Sequence, residues 1–179
     1  MADIVLGVDI GNKFPKVFGE FGSLVIPSEL VRVSEIETLL IPKDKDIIRI
    51  KSAKFQDEEY YIGKDVLKMG EVITTNIGEN RYQSKYFKIL AEGIIAYAIK
   101  QSVKEINDTI YKVKVVTGLP SSEKSSPNME KELINALEGN HIVEVDGVEI
   151  VFQVEILKVV AQPLGTLFRE ILGRGRVEL

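Results

Sequence analysis

The sequence predicts an α/β fold: a mixed five-stranded sheet flanked by helices, with a β-rich insertion. Three short apolar runs separated by turn residues open the chain, which is typical of an antiparallel meander. A long apolar stripe with helical spacing then lies between Tyr82 and Ile106. Beyond it, strand and helix patterns alternate, and this order is expected to layer helices against a sheet.

The opening meander has clear boundaries. Its three strands are predicted at residues 4–10, 16–20 and 23–26. The strands are separated by Gly11-Asn12 and by Phe21-Gly22, because glycine and asparagine favour tight turns. Pro27-Ser28 is predicted to end the meander.

Residues 29–70 are predicted to form an inserted subdomain. Pro42 and the charged run Lys43–Asp46 indicate an exposed excursion. Residues 47–55 and 59–62 follow with strand patterns and form a predicted hairpin, after which a short helix is expected up to Met69.

The second half alternates helices with strands. Phe87, Leu90, Ile94 and Ala98 recur at helical spacing and predict the longest helix. Asp146-Gly147, between β-branched strand patterns at 143–145 and 148–151, predicts a hairpin. The remaining predictions are a strand at 112–117, a polar loop at 121–127, a helix at 128–137, a strand at 155–160, and a helix that begins at Gln162-Pro163.

Composition narrows the function classes. With 179 residues, 45% hydrophobic and 28% charged, the chain is expected to form one globular domain. A net charge of −4 argues against direct nucleic-acid binding, and the lack of cysteine excludes disulfides and thiolate sites. No signal peptide or membrane-spanning run is evident, so a cytoplasmic location is expected. The single histidine, His141, cannot anchor a familiar zinc site and is expected in a surface loop.

The segment from Asp9 to Lys16 carries the main candidate chemistry. An apolar strand ends in Asp9, a Gly11-Asn12 turn follows, and Lys16 stands seven residues after the aspartate. Backbone N–H groups of such a turn can face phosphate oxygens, Lys16 can neutralise charge, and Asp9 can hold the water shell of Mg²⁺. The alternative is a plain β-hairpin whose polar residues only form the turn.

Two other polar positions are expected beside Asp9. Thr117-Gly118 and Gln162 each lie at or just after the end of a predicted strand. Ligands of α/β folds bind at the carboxyl ends of strands, so three such positions favour a common site at one edge. Thr117 and Gly118 are expected to shape the strand end rather than to touch a ligand.

With these positions identified, the chain resembles the actin-like ATPases, and among them the ParM-type proteins that segregate bacterial plasmids. The segment 9–16 resembles the first phosphate loop of that family, with its seven-residue spacing from aspartate to lysine. Residues 115–120 resemble a strand that ends in a proline before a helix, and residues 159–167 resemble the crossing between lobes. The resemblance covers nearly the whole chain.

The resemblance implies a ribonuclease H-like domain and a role for each site residue. Asp9 would bind Mg²⁺ through water, and Gly11 and Asn12 would donate backbone N–H groups to the phosphates of ATP. Lys16 would contact the phosphates, and Gln162 would orient the attacking water.

The resemblance also implies a larger protein. Residues 1–179 match the N-terminal lobe, whereas the second phosphate loop and the adenosine motif of the second lobe are not found in this sequence. The chain is therefore expected to be a piece of a longer protein or a natural half-length actin. Alone, it is expected to bind ATP weakly and to hydrolyse it negligibly.

The implied function is an ATPase that forms head-to-tail filaments and segregates plasmid DNA. Its partners would be further copies of itself and a DNA-binding adaptor, with nucleic acid contacted only indirectly and no membrane involved. One departure from the family is Pro15, which removes a backbone donor from the loop. Two alternatives stay open: a small-molecule kinase of the same superfamily, and a non-catalytic half-actin that caps or inhibits filaments.

Overall fold

The computed structural model describes residues 3–11, 13–36, 46–75, 80–124 and 126–161. Ten strands and three α-helices are assigned within these ranges. The strands are β1 (Ile4–Asp9), β2 (Lys16–Gly19), β3 (Gly22–Val25), β4 (Glu29–Arg32), β5 (Ile48–Ser52), β6 (Glu59–Ile62), β7 (Ile73–Thr74), β8 (Ile110–Leu119), β9 (Gly139–Val145) and β10 (Val148–Ala161). The helices are α1 (Lys85–Ser102), α2 (Ser121–Lys124) and α3 (Pro127–Leu137).

All ten strands belong to one mixed sheet, in the order β3-β2-β1-β8-β10-β9-β5-β6-β4-β7. The three central strands β1, β8 and β10 are parallel, and the flanking pairs are antiparallel. The predicted mixed sheet with helices is thus confirmed. It has ten strands instead of five because the β9–β10 hairpin and the strands of residues 29–75 join the same edge.

The predicted insertion continues the sheet. β5 pairs with β9, so that Ile50 lies opposite Val145, and β6, β4 and β7 extend the sheet outward. The short helix expected before Met69 is a 3₁₀ turn at Val66–Lys68. The charged run at 43–45 lies outside the described residues.

Helix α1 supplies much of the core. It packs against β2, β5, β9 and α3, and Phe87, Leu90 and Ile94 are fully buried. Each such side chain contributes about 1.5–3 kcal/mol relative to an exposed one. Gly93 lets the helix approach β5 closely, because a Cβ at this position would lie 2.5 Å from the Cδ1 of Ile50. The strongest helical pattern in the sequence therefore corresponds to the central core element.

The opposite face of the sheet is open in the described part of the chain. Several large apolar side chains there keep more than two fifths of their surface in contact with solvent. They are Val5 at 57%, Phe18 at 43%, Ile110 at 62%, Ile142 at 43% and Leu157 at 49%.

The structure corrects two local predictions. His141 is not in a surface loop but in β9, where its side chain is 3% exposed. The expectation failed because the sequence Gly139-Asn140 before it was interpreted as a helix stop followed by a loop, whereas the strand begins at once. The polar loop predicted after Pro120 contains the short helix α2.

The predicted Asp146-Gly147 hairpin is confirmed. Both residues have positive φ, 50° and 81°, as a type I′ turn requires. β10 then continues unbroken to Ala161, so the two strands predicted at 148–151 and 155–160 form one strand with a register shift between Ile156 and Lys158.

Candidate functional site at the carboxyl edge of the sheet

The carboxyl ends of the three parallel strands meet at one edge. Thr117 of β8 lies opposite Val8 of β1 on one side and Val159 of β10 on the other. Asp9, the last residue of β1, therefore lies level with Gly118. The structure thus brings Asp9 and Thr117-Gly118 to the same edge.

Gln162 and Asn12 lie outside the described residues. Ala161, which directly precedes Gln162, pairs with Leu119 at the carboxyl end of β8. The described part of β10 therefore ends beside the same edge.

Asp9 and Lys16 are directly opposite each other in the antiparallel pair β1–β2. Opposite residues of an antiparallel pair project from the same face, with Cβ atoms about 4.5–5.5 Å apart. Asp9 is half-buried, whereas Lys16 is exposed. The spacing of seven residues thus places a carboxylate and an ammonium side by side, at the end of a hairpin.

The Asp9 carboxylate lies close to the turn. A Cβ added to Gly11 would be 3.7 Å from the Oδ1 of Asp9, which is ordinary van der Waals contact. The carboxylate therefore faces the backbone of the turn that the sequence proposes as a phosphate loop. Lys13, in the same turn, is exposed.

Residues 26–28, which were not among the predicted site residues, form hydrogen bonds to this turn. The N–H of Ile26 donates to the carbonyl oxygen of Pro15 at 3.1 Å, and the N–H of Ser28 donates to that of Lys13 at 2.9 Å. The Oγ of Ser28 donates to the carbonyl oxygen of Gly11 at 3.1 Å. Three carbonyl oxygens of the turn are thus bound by one neighbouring strand end, which keeps them from facing an anion.

Thr75 completes this support. Its Oγ1 and its N–H both donate to the carbonyl oxygen of Ser28, at 2.9 and 3.1 Å. Ser28 is fully buried, and Thr75 is 3% exposed. Sequence patterns gave only weak hints of these roles, since Pro27-Ser28 predicts the end of a meander and the hydrogen bonds join residues far apart in the chain.

Thr117 belongs to the other face of the sheet. It is 2% exposed and lies in the row of Val8 and Val159, which are also buried. Its Oγ1 has no hydrogen-bond partner in the described part of the molecule. That Thr117 shapes the strand end rather than contacting a ligand stays a prediction.

The helix after β8 is anchored beside the edge. Glu123 of α2 accepts a hydrogen bond from the Tyr82 hydroxyl at 2.6 Å and one from the Arg81 guanidinium at 3.0 Å. The Tyr82 ring packs edge-on against Phe87, with centroids 5.1 Å apart. Burial, together with the hydrogen bond to Glu123, raises the pKa of Tyr82 well above its usual range. This network fixes the chain that leaves the carboxyl end of β8 to the start of α1.

The donor set at the edge fits a phosphate-bound Mg²⁺ better than a protein-only metal site. Within the described ranges, no group of three His, Cys, Asp or Glu residues is arranged to hold a metal ion. Mg²⁺ bound to a polyphosphate keeps several waters and needs only one or two carboxylates, one of which Asp9 can supply.

The largest groove among the described pockets lies elsewhere. It has a volume of about 680 Å³ and lies near the amino end of β8, where Asp108, Ile110 and Glu149 contribute to its lining. Two carboxylates make this groove unsuitable for an anion. The carboxyl edge is therefore the better candidate for phosphate chemistry.

No helix in the described ranges is both long and apolar enough to cross a membrane.

Comparison with known proteins identifies relatives of this architecture. The family model for the N-terminal domain of actin-like proteins matches residues 7–165. No curated protein matches the chain by sequence.

Three solved structures illustrate the likeness. The apo psk41 ParM protein is 29% identical, with a TM-score of 0.78 over 93% of this chain and 52% of that one. An archaeal actin homologue, Ta0583, solved in complex with ADP, is 22% identical, with a TM-score of 0.62 over 95% and 47%. A 15-stranded ParM filament from Clostridium botulinum is 16% identical, with a TM-score of 0.65 over 97% and 51%. The chain thus spans about half the length of these proteins.

Proposed function

Because the chain belongs to the N-terminal domain family of actin-like proteins, we propose that it is the first lobe of a filament-forming, ATP-binding protein. Mg-ATP would bind at the carboxyl edge of the sheet, between this lobe and a second one. Hydrolysis would then control the stability of the polymer. The observation that carries this proposal is the pairing of Asp9 with Lys16 across the end of the β1–β2 hairpin, beside the Gly11 turn.

Each residue has a defined task in this proposal. The carboxylate of Asp9 holds water ligands of Mg²⁺, and the ammonium of Lys16 neutralises phosphate charge. The N–H groups at Gly11 and Asn12 donate to phosphate oxygens, which Ser28 supports by holding the Gly11 carbonyl. Gln162, next to the end of β10, orients the attacking water, as such residues do in other NTPases.

The structures of relatives support the proposals that this protein binds a nucleotide and forms a polymer. The archaeal homologue binds ADP, and the Clostridium botulinum ParM assembles into a filament. We therefore propose head-to-tail self-association, a form of contact that produces open helical filaments when it does not close into a ring. Plasmid DNA would be the cargo, attached through a DNA-binding adaptor in the cytoplasm.

Sedimentation of the full-length protein tests the proposal. Mg-ATP should move the protein into the pellet, and Asp9→Asn and Lys16→Met should prevent this. Lys13→Met is the matched control, because Lys13 is an exposed lysine of the same turn with no proposed contact to phosphate. Equal loss in the Lys13 and Lys16 variants would contradict the assigned roles. ATP-dependent phosphorylation of a small molecule without sedimentation would favour the kinase alternative.

A further inference from the structure

Three ionisable side chains from separate elements meet inside the lobe. Lys54 belongs to the 3₁₀ turn Ala53–Phe55 after β5, Glu92 to the middle of α1, and His141 to β9. His141 and Glu92 are each 3% exposed, whereas Lys54 lies at the exposed rim. Buried charged groups are costly unless they are paired. The stability of this cluster therefore depends on which of its nitrogen and oxygen atoms carry protons.

One nitrogen of the imidazole has a fixed role. His141 Nε2 lies 3.0 Å from the carbonyl oxygen of Leu137. A carbonyl oxygen only accepts, so Nε2 carries a proton. The ring also stacks on Phe152, with centroids 4.9 Å apart and an angle of 12° between the planes. The ring is thereby held in one orientation, and its neutral form is the Nε2–H tautomer.

The other nitrogen faces two partners with opposite requirements. His141 Nδ1 lies 3.0 Å from Glu92 Oε2 and 3.2 Å from Lys54 Nζ. An ammonium only donates, which requires a bare Nδ1, whereas an ionised carboxylate only accepts, which requires a protonated Nδ1. Both contacts therefore cannot be satisfied at once while Lys54 and Glu92 carry their usual charges.

We propose that His141 Nδ1 is a proton-operated switch between these two partners. When Nδ1 is bare, it accepts a hydrogen bond from the Lys54 ammonium and holds the 53–55 turn against β9. When Nδ1 is protonated, it donates to Glu92, and the Lys54 ammonium is repelled into solvent. Acidification thus transfers the bond from the turn after β5 to helix α1.

The surroundings favour release of Lys54. Burial of part of the Lys54 side chain lowers its pKa, in spite of the opposing attraction of Glu92, and the nearby charge of Lys88 lowers it further. Lys88 lies one turn before Glu92 on α1, and the Leu137 carbonyl is at the end of α3. The positive charge of a protonated imidazole adds to the repulsion that Lys88 exerts on the Lys54 ammonium. Because Lys54 lies at the exposed rim, its ammonium has a short path to water.

The switch would act on the junction between the sheet extension and the lobe core. β5 is the strand that attaches β6, β4 and β7 to β9. Loss of the Lys54 bond frees the end of β5 without disturbing the imidazole–carboxylate pair inside the core. Acid is therefore expected to loosen this junction before it unfolds the lobe.

NMR provides the direct test, because His141 is the only histidine in the chain. Long-range ¹H–¹⁵N correlation reports the tautomer and the protonation of its ring. Hydrogen exchange reports the protection of the turn at the amides of Asp57 and Glu58, which donate to the Ser52 and Phe55 carbonyls. The neutral ring should be the Nε2–H tautomer. As the ring becomes protonated, protection of the turn should fall about tenfold, the change expected when one hydrogen bond to a charged group is lost.

Two variants separate the switch from general acid effects. In Lys54→Met, protection of the turn should no longer depend on the protonation of the ring. Lys51→Met is the matched control, since Lys51 is another lysine of this region and pairs with Asp57 instead. It should keep the wild-type response. A ring that becomes protonated without any change at the turn, or a neutral ring with its proton on Nδ1, would overturn the proposal.

Discussion

Replacing Ser28 by alanine tests whether the turn after β1 depends on the strand end behind it. The substitution removes the hydroxyl that donates to the Gly11 carbonyl at 3.1 Å, in a position that is fully buried. A hydrogen bond of this kind contributes about 1 kcal/mol net. For a protein of this size, that corresponds to a fall in Tm of about 2–4 °C.

Ser52→Ala is the matched control. Ser52 is also a buried serine, at 2% exposure, but its Oγ has no hydrogen-bond partner in the described part of the chain. Its removal should leave Tm unchanged or slightly higher, since an unpaired buried hydroxyl contributes no favourable interaction.

Thermal unfolding followed by circular dichroism measures both variants, and exchange of the backbone amides at positions 26 and 28, which donate to the Pro15 and Lys13 carbonyls, localises the effect. Ser28→Ala should lower Tm and increase exchange at these two residues, whereas Ser52→Ala should do neither. Equal Tm values for the two variants, or a loss of stability without any change at the turn, would refute the proposed support by Ser28.

Three further perturbations test other parts of the account. Because burial raises the pKa of Tyr82, the unfolded chain loses this proton first, so the free energy of unfolding should fall as the pH rises above about 10. In urea unfolding across this pH range, the free energy of unfolding should fall less for Tyr82→Phe than for the wild type. At neutral pH, this substitution should itself lower the free energy of unfolding by about 1.5–3 kcal/mol, because it removes the hydrogen bond to Glu123. Thr117→Val should leave the urea midpoint unchanged or raise the free energy of unfolding by up to about 1 kcal/mol, since the buried Oγ1 has no partner among the described residues; a clear loss would show that the hydroxyl is used. Gly63→Ala should destabilise by about 3 kcal/mol, because the glycine has a φ of 125° and a Cβ would lie 2.3 Å from the carbonyl oxygen of Asp46; a wild-type midpoint would contradict this geometry.

Periodicity predicted the elements that bury one continuous apolar stripe. The stripe that includes Phe87 and Leu90 gave the central helix, and the Asp146-Gly147 pair gave the longest hairpin. In these cases the local pattern and burial in the core select the same residue types at the same positions, so the element can be predicted from the sequence alone. The ends of α1 were less well predicted, because the predicted helix extended over the 3₁₀ turn before it.

The extent of the sheet could not be predicted. The pairing of β5 with β9 joins segments almost one hundred residues apart, and strand patterns do not specify partners at that distance. His141 was misplaced for a related reason. A polar residue in this buried strand is tolerated because Glu92 and the Leu137 carbonyl are nearby. Glu92 is 49 residues away in the sequence, and the Leu137 carbonyl, four residues before His141, is within reach because α3 leads directly into β9.

The candidate site was predictable where its geometry is local. Asp9 and Lys16 are seven residues apart and become neighbours through one hairpin turn. Ser28 and Thr75 could not be assigned from the sequence, because their roles depend on hydrogen bonds between segments that are distant in the chain.

An NMR titration of the ¹⁵N-labelled chain with Mg-ATP tests the central claim most directly, because it detects weak binding and locates it. The account predicts shifts concentrated at Gly11, Lys16 and Gly118, much smaller shifts with AMP at the same concentration, and loss of the ATP response in Asp9→Asn. Shifts centred on the Asp108–Ile110 groove, or equal responses to AMP and ATP, would contradict a phosphate-binding edge built on Asp9 and Lys16.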